Sequence, residues 1–348
     1  MNPAHPTALS LAAIKESDAP LDLDFAAQIT DLRQSTTQGG KPYFDLSLTD
    51  ATGTARLKIW SNTDAFAFLE TTTLGTFVRL SGRFSRNSFG LNVDEPRLAP
   101  LPKEKIPGVL AGSPGRAADL EKDWDFLCQT AGQMTEPRLR LVSQLALNKY
   151  ETKWRRAAAA RAYHHARRGG LLEHTAQMTR VAQVVAPLYP EVHPDLLCAG
   201  VLFHDIGKLW ENDYAGDTFL APPSRLGEMI GHISIGIEVL NKLWHEAAES
   251  HPEAFAVTNP PSDLIREHLI HLIASHHGQR EFGAPVTPRT PEAHLLHYID
   301  NLDAKLEMVR MAHRAGHEVA AGLYETKRPL EGPIPAPLSW AFQPLPET

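Results

Sequence analysis

The chain has 348 residues, enough for about two domains with cores of their own. Its net charge of −7 excludes a global positive field, so nucleic-acid binding would have to rest on local patches. Cys128 and Cys198 both lie in apolar helical patterns and read as buried thiols of a reducing compartment. No basic segment precedes an apolar run at the start, and no stretch reaches about 18 apolar residues, which predicts a cytoplasmic protein without a membrane partner.

Residues 1–20 are polar with Pro and Ala and read as a flexible arm. Residues 21–100 are strand-like. Tyr43 to Thr49 and Ala55 to Trp60 alternate apolar and polar around an Asp50-Ala51-Thr52-Gly53 turn, which predicts a hairpin. A short helix is expected over 63–69, then two strands over 77–84 and 89–93. Five short strands with a helix between the third and fourth predict a small all-β OB-fold barrel. Five prolines between Pro96 and Arg116 mark a linker, 101–118. Helical periodicity over 119–323 predicts an all-α second domain. A Pro-rich tail, 324–348, follows, with Trp340 and Phe342 placed to pin it to the body or to a second subunit of a homo-oligomer. Residues 138–168 are strongly basic, which suits either a solvated helix face or a phosphate-tracking rim.

Histidines and aspartates recur at helix starts and ends. Gly169-Gly170-Leu171-Leu172-Glu173-His174-Thr175 opens a helix whose apolar stripe includes the position of His174. The apolar run 195–203 ends in His204-Asp205-Ile206-Gly207-Lys208, and both polar side chains lose hydration there. Gly231-His232 opens another apolar helix. Ser275-His276-His277-Gly278 ends a further one, and His297-Tyr298-Ile299-Asp300-Asn301-Leu302-Asp303 lies within the last. Imidazole and carboxylate together suit Mn, Fe, Zn or Mg to differing degrees.

This ordered set resembles the HD-domain superfamily of metal-dependent phosphohydrolases. The stretches around His174, His204-Asp205, Gly231-His232, Ser275-His276-His277-Gly278-Gln279-Arg280-Glu281-Phe282-Gly283 and Leu296–Lys305 look like those of the YhaM-like 3′→5′ exoribonucleases, over roughly residues 20–315. The resemblance implies an OB-fold ahead of an HD domain. It also implies 3′→5′ hydrolysis of single-stranded RNA, and in some cases DNA, with a metal-activated water as nucleophile. Divalent metal is implied, as two ions: Mn first, with Mg, Fe, Co or Zn as alternatives. His174, His204, Asp205 and Asp300 would hold one ion, and Asp205 would bridge to a second held by His232 and by His276 or His277, with His276 ranked first. Lys208 and Asp205 are the catalytic candidates. Lys208 would reach a phosphoryl oxygen; otherwise it caps a helix C-terminus. Asp303, one turn after Asp300, would orient a ligand histidine from behind. Glu173 takes no role. His164 and His165 stand where that family has a His-His pair, serving phosphate contact or merely the surface.

A strand-gripping surface would combine aromatics and cations. Tyr43, Phe44, Trp60, Phe84 and Phe89, with Lys58, Arg79, Arg83 and Arg86, are the candidates, and the Phe84–Arg86–Phe89 hairpin is preferred. Arg167 and Arg168 belong to the basic run beside His174 and are expected on the nucleic acid. The alternative function is an HD-type phosphohydrolase of nucleotides or cyclic nucleotides, against which the barrel domain argues.

Overall fold

The computed structural model describes residue 11 and residues 20–87, 90–160, 165–256, 259–326 and 328–338. Strands β1 (Leu21–Thr36), β2 (Pro42–Asp50), β3 (Gly53–Trp60), β4 (Phe77–Asn87) and β5 (Gly90–Pro100) form an antiparallel sheet in the order β3-β2-β1-β4-β5. Alternation decides the inside: Phe44, Leu46 and Leu48 of β2 and Ala55, Leu57 and Ile59 of β3 are buried. β1 serves two partners. Its residues 21–28 pair with β4 and 28–36 with β2, and an irregularity between Ile29 and Asp31 bends it between them. The curl brings β3 against β5. Helix α1 (Asp64–Glu70), capped by Thr63, packs Ala65, Phe66 and Leu69 into the same core. This is the expected five-stranded barrel.

Three stretches differ from expectation. Leu11, from the expected arm, is fully buried in the barrel core and its N–H donates to Asp50 Oδ2 at 2.9 Å; a lone leucine beside an apolar interior gains by entering it. The expected linker holds a 3₁₀ turn (Lys103–Lys105), α2 (Ile106–Ala111) and the start of α3 (Pro114–Gln133). Its prolines do not break these helices, because Pro107 and Pro114 occupy first turns, where a missing N–H costs nothing. The end of the expected all-α stretch and the tail beyond it hold short antiparallel strands: Glu318–Ala320 and Leu323–Tyr324 at the boundary and Ile334–Pro335 within the tail. Trp340 and Phe342 lie outside the described residues.

The helical half continues with α4 (Pro137–Trp154), α5 (Gly170–Val185), α6 (Pro194–Phe203), α7 (Lys208–Glu211), α8 (Arg225–Ser250), α9 (Pro252–Phe255), α10 (Ser262–Ser275) and α11 (Pro291–Ala315). α6 is apolar on every side and buried from Leu196 through Phe203, which makes it the central helix. Helices α4, α5, α10 and α11 pack around it. Most of the basic run is consumed in holding helices together. Arg138 is 1% exposed and pairs with Glu136 while donating to Pro260 O. Arg155 pairs with Glu121 and Glu151, and Lys149 with Glu246. These side chains do not form a phosphate rim.

The two halves are locked together by Gln28 of β1. Its amide nitrogen donates to Gly75 O (2.8 Å) within the barrel, and its oxygen accepts from Phe219 N (2.6 Å) in the segment between α7 and α8. The Thr218 hydroxyl adds a third contact, and the Phe77 and Phe219 rings meet at 6.2 Å. Gln28 is 2% exposed, so its amide is paired throughout, as burial requires.

Candidate metal centre

Two helices end on histidines. His204 caps α6 and its Nδ1–H donates to Val201 O at 2.7 Å. His276 caps α10 and its Nδ1–H donates to Ile273 O, also at 2.7 Å. A carbonyl oxygen can only accept, so both Nδ1 atoms carry a proton and each ring directs its Nε2 inward. Those Nε2 atoms face Asp205: His204 Nε2 lies 3.4 Å from Oδ2 and His276 Nε2 3.6 Å from Oδ1. His232 joins from α8, with Nε2 3.3 Å from Asp205 Oδ1. It stands directly after a break at Gly231 (φ 70°, ψ 162°), a conformation that requires glycine and that swings the start of the continuous helix toward the site.

Among the described residues, the Nε2 atoms of His204, His232 and His276 and Oδ1 of Asp205 are buried without a hydrogen-bond partner. One such orphan costs roughly 1–3 kcal/mol; a convergent set is explained by a cation that takes imidazole and carboxylate donors at once. The side chains therefore fit a divalent metal. The candidate ligand atoms of His174, His204 and Asp205 lie within 4.8 Å of one another, as do those of His232, His276 and His277. The seven side chains picked as ligands from the sequence are thus brought together, with Asp300 Oδ1 3.3 Å from His174 Nε2.

The electrostatics match that purpose. Burial would raise the Asp205 pKa, but Lys208 and His204 hold it well below the carboxylate range. Burial opposes charge on His174, yet Asp300 and Asp303 outweigh it and push the imidazole up to about 10; a cation at Nε2 takes the place of that proton. Burial and the neighbouring His276 and His232 push His277 down to about 4, which leaves a neutral ring. Its Nδ1–H donates to Phe282 O at 2.7 Å, so it too turns Nε2 away from the backbone.

Lys208 starts α7, so it is no C-terminal cap; its Nζ stands 3.8 Å from Asp205 Oδ2. Asp303 accepts from His174 Nδ1 at 2.7 Å, as expected. Three partners were not legible. His165 is buried with Nε2 3.0 Å from the same Asp303 oxygen, in a left-handed backbone conformation (φ 46°), so it serves neither surface nor phosphate. His164 lies outside the described residues. Glu173 accepts from Arg116 and Arg167 at 2.5 Å. Burial would raise its pKa, but His165 and these arginines hold it at about 2. Glu211, one turn after Lys208, lies 3.5 Å from His232 Nδ1; that i,i+3 spacing was the available signal.

Comparison with known proteins agrees with this geometry. An HD domain family model matches residues 171–305. The 3′-5′ exoribonuclease YhaM of Bacillus subtilis (strain 168) is 32% identical over 312 residues, covering 84% of this chain and 88% of that protein. The chain belongs to the YhaM family. The YhaM of Oceanobacillus iheyensis is 30% identical over 288 residues, covering 82% and 84%, and that of Listeria innocua 32% over 282 residues, covering 79% and 83%.

The nucleic-acid contacts expected for a YhaM-family chain need correction. Phe84 is 2% exposed and packs on Phe25 inside the barrel (ring centroids 5.6 Å), because strand alternation turns it inward. Phe44 is likewise in the core. Phe89 lies outside the described residues, and Arg86 is described through its backbone pairing with Leu91 alone. Arg167 is held by Glu173 and Glu307, so its charge is already neutralised. Arg79 pairs with Asp24 in the same way. The outward aromatic pair is Tyr43 and Trp60, at 5.3 Å, with Lys41 5.4 Å over Trp60 and Lys58 5.2 Å over Tyr43. Arg168 has no carboxylate within ion-pair range among the described residues; its contacts are long ones to the carbonyls of Thr218 (3.4 Å) and Gly216 (3.3 Å).

Proposed function

We propose that this chain is a divalent-metal-dependent 3′→5′ exoribonuclease that shortens single-stranded RNA by hydrolysing its phosphodiester bonds. The observation that carries it is the convergence of buried Nε2 atoms, without hydrogen-bond partners, from three helices on one carboxylate. His174, His204, Asp205 and Asp300 would hold one ion, and His232, His276 and His277 a second. Asp205 suits the place between them: Oδ2 faces His204 and Lys208, and Oδ1 faces His232 and His276. Manganese is proposed first, as the resemblance implies; imidazole donors by themselves suit Zn or Fe and carboxylates Mg or Mn. When bound, the metal supplies Lewis acidity that lowers the pKa of water and offsets charge on phosphoryl oxygens.

The chain's own groups do the remaining work. Lys208 places a positive charge beside Asp205, where a non-bridging phosphate oxygen gains most from it. Asp303 holds the His174 ring in one orientation, and the Val201 and Ile273 carbonyls do the same for His204 and His276. The Tyr43–Trp60 pair offers faces for stacked bases, with Lys41 and Lys58 beside it for the backbone.

A 5′-labelled single-stranded RNA incubated with pure protein and Mn should yield a ladder that shortens from the 3′ end. An Asp205→Ala preparation should leave the RNA intact. Full-length RNA persisting with metal-loaded wild type, or faster turnover of a mononucleotide panel than of RNA, would overturn the assignment.

A further inference from the structure

Two cavities of about 580 Å³ each share Arg156 and Arg168 in their walls; one lies between the segment 103–111 and the helical half, the other at the junction of the barrel and the helical half. Five arginines line the two cavities together. Three are neutralised: Arg116 by Glu173, Arg155 by Glu121 and Glu151, Arg167 by Glu173 and Glu307. Arg156 and Arg168 differ. Among the described residues neither has a carboxylate within 4.0 Å, and Arg156 makes no side-chain hydrogen bond at all. Both are partly buried, and burial together with the nearby Arg156 charge lowers the Arg168 pKa. The exposed Asp217 acts on Arg168 only from beyond ion-pair range.

Two guanidinium groups lining the same cavities, partly desolvated and without a carboxylate in ion-pair range among the described residues, repel each other; an anion between them removes that cost. Planar forks of N–H donors match phosphate oxygens in particular. One cavity reaches from Thr30 and Thr49 of the barrel to Tyr214 of the helical half. The same cavity is lined by Arg167, which pairs with Glu173 beside the candidate ligand His174, and by Asn212, the residue after Glu211, whose carboxylate lies 3.5 Å from His232, so its helical side borders the metal centre. Two of its lining residues, Thr218 and Phe219, are bonded to Gln28 of the barrel across the junction.

We propose that Arg156 and Arg168 clamp a backbone phosphate of the RNA strand where it crosses from the barrel to the metal centre, an inference that rests on the nuclease function above.

The test is binding of a 5′-fluorescein single-stranded oligo(A) RNA to the full-length chain in EDTA, by anisotropy, across a salt series. For Arg156→Ala/Arg168→Ala the affinity should fall about tenfold or more, and the slope of log K against log[salt] should shrink by about 1–2. Arg156→Gln alone, at a side chain with no partner to lose, should reduce the slope by about 1 without affecting the fold. Wild-type affinity and slope in both variants would overturn the clamp while leaving the nuclease assignment standing. If AMP displaces the RNA from wild type, and the double variant loses AMP binding with an unchanged RNA slope, the pair is a mononucleotide site and the strand clamp falls. A wild type that neither binds nor degrades RNA would overturn the clamp and the nuclease assignment together.

Discussion

Gly207 follows the His204-Asp205 pair and packs directly against the backbone of α8. A Cβ built there would stand 1.9 Å from His232 O and 2.7 Å from Gly236 N. Carbon and carbonyl oxygen settle no nearer than about 3.3 Å, so Gly207→Ala must open the contact by about 1.4 Å. The obstacle is the backbone of α8, with no flexible side chain to swing aside, so the helix moves and carries His232 with it. His232 Nε2 now lies 3.3 Å from Asp205 Oδ1. Metal sites tolerate about 0.2 Å in ligand placement, several times less than this displacement. At φ −63° alanine is otherwise at ease. Its effect on the unfolded chain would stabilise by about 0.4–1 kcal/mol, against overpacking that costs about 1–3 kcal/mol. The balance is a loss of about 1–2 kcal/mol in stability, and misplacement near 1 Å costs about a hundredfold in rate. Initial rates on 5′-labelled RNA, metal content and thermal melts read the three effects separately. Gly108→Ala, where nothing lies within 4 Å, is the control. Wild-type rate and metal content in Gly207→Ala would refute the account.

Asp205→Ala should abolish RNA degradation while leaving oligo(A) binding within about twofold, since the Tyr43–Trp60 surface is elsewhere; loss of binding measured by anisotropy would refute this division of labour. Phe84→Ala should cost about 3–5 kcal/mol of barrel stability in urea unfolding, whereas Trp60→Ala should weaken RNA binding by about 1–3 kcal/mol; the reverse pattern would restore Phe84 as a contact. Gly231→Ala meets no neighbouring atom, so its cost is backbone strain alone, about 1–3 kcal/mol, read as a lower melting temperature together with weaker metal retention. Burial pushes the Cys198 thiol up to about 12. Its thiolate is therefore negligible up to about pH 10, and in the folded protein it should resist Ellman's reagent while Cys128, which is partly exposed, reacts first; equal fast reaction of both would contradict the packing.

The elements that carry strong periodicity were legible. Alternation over Tyr43–Thr49 and Ala55–Trp60 marked the hairpin, and the apolar run before His204 marked the central helix, because period and burial are local properties of the chain. Most of the ligand set was legible for a different reason: His174, His204, Asp205, His232, His276 and His277 sit near a helix start, end or break with a glycine within a few residues, where a polar residue in an apolar run is conspicuous, whereas Asp300 lies mid-helix in α11 and was supplied by the family resemblance. What escaped depends on distant partners. Nothing near His165 in sequence announces Asp303, 138 residues away, and Glu173, one position before a ligand and so turned to another side of α5, meets arginines from another helix and from a loop that its neighbours do not announce. Phe84 was misjudged because β4 pairs with both β1 and β5, and its facing depends on a register that only the bulge near Gly82 settles.

The Gln28 contact bears on how far the protein can be dissected. A barrel expressed alone would lose the Phe219 N–H and Thr218 hydroxyl that satisfy this amide, and would expose Phe77 to water. The helical half alone would lose the barrel residues, among them Thr30, Thr49 and Leu74, that wall the junction cavity. Two modules by architecture are therefore one piece by construction, and an insertion or a transplanted barrel has to preserve a glutamine at the centre of β1 to keep the halves in register.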